Sequence, residues 1–187
     1  VLADRLYITS SSTAHAGLGY VGAAGPSGVT GEIAVDVHNN VELTGDIGGA
    51  AVIGHVNNGG GPVTGNIHVV SRNGSIIGGG EGAHFGHWSS AGDIDADIIL
   101  SAESGDVALT AQSAGNVRAG HVGANNNGQI VLSGAGVKLE ANGSGNAIAG
   151  HQGSGTQQGA IILHAEDGDI VLDDGAMGGM WRVGHGT

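Results

Sequence analysis

Cysteine is absent from this sequence, proline occurs twice, and only five residues are Trp, Tyr or Phe. The first absence excludes disulfides and thiol chemistry and leaves the compartment open. The second, with no glycine at every third position, excludes a collagen-like chain. The third excludes a core anchored by large rings. Basic residues are scarce too: five Lys and Arg stand against 17 Asp and Glu, a formal charge of -12. Such a surface repels phosphate backbones and anionic lipid heads, so no nucleic-acid partner is expected. No apolar run approaches the ~20 residues that span a bilayer, so no membrane insertion is expected. No signal peptide is visible and the first residue is Val1. The chain therefore reads as processed or as a segment of something longer.

What is present is glycine, 40 residues of it in 187, with many Val, Ile, Leu and Ala in short alternating runs. A mean hydropathy of +0.09 argues against disorder. Small side chains can still close-pack where the architecture repeats. A repeat is visible. Gly-His follows a short apolar run at Gly54, Gly86, Gly120, Gly150 and Gly184, and "GYVGAAG" gives a sixth copy at Gly22 with Ala23 replacing His. The intervals are 32, 32, 34, 30 and 34 residues.

Each unit holds three strand-like runs. Ile33, Ile67, Ile98, Ile130 and Ile161 mark one equivalent site in runs such as "GEIAVDV" and "GQIVLSG". Val41, Ile76, Val107, Val137 and Ile170 mark a second, in runs such as "GDVALTA" and "GDIVLDD". Apolar residues alternate with period two. Turns with Asn-Gly, Ser-Gly, Ala-Gly and Asp-Gly separate the runs. Three short strands per ~32 residues predict an all-β fold, a parallel β-helix solenoid of about five to six coils. All of residues 1–187 then form one repeat domain, roughly 25–30 Å long at the usual strand spacing. A β-propeller is the main rival, but its blades need four strands. Period two and the glycine content exclude helical solenoids.

The runs Ala51–His55, Val117–His121, Ala147–His151 and Trp181–His185, in a chain that also carries "G-x-I-x-V"-like elements and the "G-D-[IV]-x-L" runs "GDVALTA" and "GDIVLDD", resemble repeats of filamentous-haemagglutinin-like adhesins, large bacterial β-helical proteins. The resemblance spans nearly the whole chain and is weakest in the first coil. It implies an exported, right-handed β-helix used in adhesion, surface layers or fibres, and it carries no active site. The expected location is extracellular or on a bacterial cell surface.

Several side-chain groups invite chemistry. Position -1 to the motif glycine is always apolar, whereas -2 accepts Arg118 and Arg182, so -1 faces inward and so does the histidine at +1. His55, His87, His121, His151 and His185 are expected to stack as a structural ladder that satisfies backbone groups at each coil. If they are buried and neutral, acid destabilises the fold. A metal could bridge neighbouring imidazoles, but carboxylates at fixed offsets are missing, so no metal site is assigned. Asp93, Asp95 and Asp97 alternate onto one face and form a weak Ca²⁺ candidate; the plain alternative is a solvated edge. Otherwise no cofactor is implied. No nucleophile elbow, HExxH or phosphate loop occurs, so no catalytic residue is assigned and the chain is not read as an enzyme. Met177, Met180 and Trp181 place large apolar groups in the last coil, where they could cap it or dock end to end with another subunit or with further repeats. The expected function is a structural and adhesive element built of stacked coils, with a host or surface glycan as candidate partner. The rival is a carbohydrate-binding or polysaccharide-cleaving β-helix, with Arg118 and Arg182, near Tyr20, as its contacts.

Overall fold

A computed structural model describes residues 1–11, 14–46, 48–175 and 178–186. It is an all-β solenoid of about six coils, and no helix occurs among the described residues. Three six-stranded parallel sheets run its length. The first stacks Leu2–Ala3, Ile33–Val37, Ile67–Ser71, Ile98–Ala102, Ile130–Gly134 and Ile161–Ala165. The second stacks Leu6–Thr9, Val41–Gly45, Ile76–Gly80, Val107–Ser113, Val137–Gly143 and Ile170–Asp173. The third stacks Ala16–Leu18, Ala51–Ile53, Ala83–Phe85, Asn116–Ala119, Asn146–Ala149 and Met180–Val183.

Register follows the apolar pattern because a one-residue slip would turn every core side chain outward. Ile33, Ile67, Ile98, Ile130 and Ile161 pair in one row. Val41, Ile76, Val107, Val137 and Ile170 pair in another. In the interior coils these positions are sealed, and burying each Ile or Leu contributes about 2 kcal/mol. Phe85 is the one aromatic ring in the core and fits because its neighbour in the second sheet is Gly78. A Cβ there would come within 3.0 Å of the Phe85 ring and 3.1 Å of Leu109 and Val117.

Two further arrays, with strands of two residues, were invisible to periodicity. One follows the Gly-His corner: Val21–Gly22, Val56–Asn57 and Trp88–Ser89, continued by single bridges through Val122, Gln152 and Gly186. The other precedes the first sheet and includes Val63–Thr64 and Ile94–Asp95. Together they form a side lobe with a small apolar core of Val63, Ile94 and Ala96.

The first coil corrects one expectation. Ala16, Gly17 and Leu18 pair with Ala51, Val52 and Ile53, so Gly19, not Gly22, is the equivalent of Gly54. Val21 and Gly22 pair with Val56 and Asn57. Tyr20 therefore takes the histidine position, and neither Ala23 nor the assignment of Tyr20 to position -2 survives. The sequence contains two candidate glycines three residues apart, and the third-sheet pairing selects Gly19, in agreement with the side lobe.

Candidate functional site

Two columns of side chains flank the motif glycines, and their chemistry differs. The glycines are required by close approach: a Cβ on Gly120 would lie far inside contact distance of the Gly150 carbonyl oxygen in the next coil. Beyond each glycine the chain turns the +1 residue between the main core and the side lobe.

Five histidines occupy the +1 column. His55, His87, His121, His151 and His185 stack with ring centroids 4.8–5.1 Å apart and planes within 4°. Each Nδ1 accepts the backbone N–H of the +1 residue one coil earlier. These bonds run from Tyr20 to His55 (3.0 Å), His55 to His87 (2.9 Å), His87 to His121 (3.0 Å), His121 to His151 (3.1 Å) and His151 to His185 (3.2 Å). An acceptor Nδ1 puts the proton on Nε2. Each Nε2 then donates to a carbonyl two residues before the first strand of its own coil: Gly31, Gly65, Ala96, Gly128 and Gly159, at 2.6–3.0 Å. One imidazole thus closes its own coil and clamps the coil before it.

This network accepts only neutral rings, because a proton on Nδ1 would face an N–H donor. Burial acts in the same direction. It holds His87 down to about 4, with the neighbouring His55 ring acting in the same direction, and it holds His121 well below the usual range. His151 is lowered for the same reason. No ring nitrogen of His87, His121 or His151 is left with a free lone pair, since each is committed to a backbone partner. Among the described residues no group of three or more His, Asp or Glu side chains could hold a metal ion.

The -2 column is Val52, His84, Arg118, Ile148 and Arg182, in register. These side chains point away from the main core into the concave corner against the side lobe. Arg118 is only 6% exposed. Its Nη2 donates to Gln152 Oε1, and its Nη1 is buried without a partner. Burial, then the charge of Arg182, lowers its pKa to about 10, so it remains a cation at neutral pH. Arg182 has Nε and Nη2 buried without a partner among the described residues. His84 donates Nε2–H to the Gly120 carbonyl at 2.9 Å and stacks on Trp88 at 6.4 Å. Burial, reinforced by the charge of Arg118, pushes His84 down to about 3. A groove of about 810 Å³ runs along this corner, with Trp88, Arg118 and Gln152 in its wall. A cavity of about 170 Å³ continues from it between Arg118 and Arg182.

The structure thus brings Arg118 and Arg182 together and leaves Tyr20 outside their column. Trp88, His84 and Gln152 were missed by sequence reasoning. Their signal was available at positions -2 and +2, where Val-type residues give way to a ring or an amide.

The aspartates take another role. Asp93 Oδ1 accepts the Asn125 backbone N–H (3.2 Å) and side-chain amide (2.8 Å), Asp95 accepts the Asn127 amide (2.9 Å), and Asp97 accepts the Gln129 N–H (2.7 Å). Each carboxylate binds the next coil. Trp181 pairs with Ala147, an inward position, and Met180 with Asn146. They are 39% and 60% exposed. Met177 lies outside the described residues.

The fold and these columns define the class: a parallel β-solenoid with an imidazole ladder. No family model, curated protein or solved structure matches the chain.

Proposed function

We propose that the chain is a structural and adhesive element of an extracellular or bacterial cell-surface fibre, built by stacking coils end to end. One observation carries the reading. The last described coil presents, in register, inward apolar positions that are sealed in the interior coils. Ile170 is 48% exposed, whereas its equivalent Val137 is 1% exposed. Trp181 is 39% exposed, whereas its equivalent Ala147 is fully buried. An uncovered parallel strand with an apolar face is a template for another coil, whether from the same chain or a second copy. The resemblance of the Gly-His repeats to bacterial adhesin repeats supports the adhesive and exported parts of the reading.

Sedimentation at rising protein concentration, with electron microscopy of the same samples, tests it. Particles that lengthen along the solenoid axis are expected, and Trp181→Glu shortens them. Short particles of one size at every concentration, from the intact native protein, would overturn the stacking.

A further inference from the structure

The concave corner of the third sheet holds positive charge that the fold itself does not use. Only five of the 187 residues are basic, yet two of them, Arg118 and Arg182, face one small cavity. Its wall also includes Asn116, Asn146, Ile148 and Gln152, and no Asp or Glu. Among the described residues neither arginine has a carboxylate partner, whereas the exposed Arg72 has two, Asp36 and Glu103. Among the described residues three guanidinium nitrogens are buried without a partner: Arg118 Nη1, Arg182 Nε and Arg182 Nη2. An unpaired buried cation costs several kcal/mol and is retained where an anion completes it.

Geometry narrows the anion. Arg118 and Arg182 lie on either side of Ile148, two strand spacings apart, roughly 10 Å between their backbones. Both side chains reach the one cavity of about 170 Å³, which is large enough for a carboxylate and the ring that bears it. A planar guanidinium fork matches a carboxylate. The adjoining groove supplies what a bare anion would not need. Trp88 stands in it 40% exposed, its ring stacked on the neutral His84. An indole face flanked by amides and hydroxyls suits the C–H face and hydroxyls of a sugar ring. A groove of about 810 Å³ accommodates several such rings in line. The single acid in its wall is Glu81.

We propose that this corner is a binding site for an acidic saccharide, with a sugar carboxylate held between Arg118 and Arg182 and a neighbouring ring stacked on Trp88. The inference rests on the adhesive half of the proposed function and is independent of end-to-end stacking.

Titration calorimetry on the full chain with trigalacturonate, a neutral galactose trisaccharide, acetate and hexaglutamate tests it. Trigalacturonate is expected to bind and to shift the Trp88 indole N–H resonance, with affinity falling as salt rises. Arg182→Gln and Trp88→Leu each weaken it at least tenfold, while the melting temperature stays near that of the parent. Both positions lie at the open corner, so neither variant removes a core contact. Absence of trigalacturonate binding would overturn the site. Equal affinity for the neutral trisaccharide would overturn the role of the arginines, and equal affinity for acetate would overturn the saccharide. Hexaglutamate binding that ignores Trp88→Leu would assign the corner to an acidic peptide instead. Sedimentation of the same samples separates these outcomes from failure of the stacking proposal.

Discussion

The +1 and -2 columns are three residues apart on each coil, climb the same corner and are both buried, yet they are opposite in kind. The first is the same residue five times, and every ring nitrogen has a backbone partner. The second changes at every coil and leaves three guanidinium nitrogens unmet. Repetition with complete hydrogen bonding is what a load borne equally by every coil requires. Irregularity with unmet donors has no value for stacking and marks a local task.

The largest expected break in this comparison is acid. His84, His87, His121 and His151 have folded-state pKa values below the unfolded value of about 6.5. Between the two values the unfolded chain binds more protons, so stability is full above about 6.5 and falls as pH drops toward the folded values. For His87 the window runs from 6.5 down to about 4, and for His84 from 6.5 down to about 3. At pH 5 each has cost about 2 kcal/mol, and His121 and His151 add losses of the same sign. Urea unfolding at pH 7, 6 and 5 should show a midpoint that drops steeply. A midpoint constant to within a tenth molar would mean that these rings are not buried and neutral.

Next in size is His121→Ala. It strands the buried His87 N–H and the Ala96 carbonyl and opens a cavity between two stacked rings. At 1–3 kcal/mol for each orphaned group, the loss is about 4 kcal/mol. Equilibrium unfolding at pH 7 measures it, and a loss under ~1 kcal/mol would show the ladder to be ornamental.

How far the sequence discloses all this depends on the length of each signal. The two five-residue rows led by Ile33 and Val41 are legible because period two persists long enough to fix register. The histidine column is legible because identity repeats. The side-lobe strands are two residues long, too short for any period, and the choice between Gly19 and Gly22 rests on strand pairing that only the fold supplies. Asp93, Asp95 and Asp97 share a face as alternation requires, but their partners, Asn125, Asn127 and Gln129, lie one coil away and carry no pattern of their own. The groove needs the lobe to form its second wall, so Trp88 became informative only once folded.

A smaller effect of opposite sign is expected in the -2 column. Arg118→Met keeps the stem that fills the corner and removes the buried, partly unbonded guanidinium. Replacing buried charge by an apolar side chain of similar volume is often neutral or stabilising. We expect a gain of about 1 kcal/mol, seen as a higher melting temperature, together with loss of trigalacturonate binding. A loss of stability comparable to that of His121→Ala would place Arg118 with the structural column.

The smallest effect is predicted at the end of the ladder. His185 repeats the geometry of His121: its Nδ1 accepts the His151 N–H at 3.2 Å and its Nε2 donates to the Gly159 carbonyl at 3.0 Å. Its ring, however, stacks on one neighbour only, at 4.8 Å, and the bond to Gly159 is at the surface. Water can replace both bonds once the ring is gone, so His185→Ala should cost under ~1 kcal/mol, against about 4 for His121→Ala. That ratio is itself a measure of stacking. If another coil covers this end at high protein concentration, His185 becomes interior, and the same substitution then costs as much as His121→Ala. Unfolding both variants at two concentrations, at least a hundredfold apart, reads the difference directly. A cost for His185→Ala that is small at both would mean that the last coil remains open.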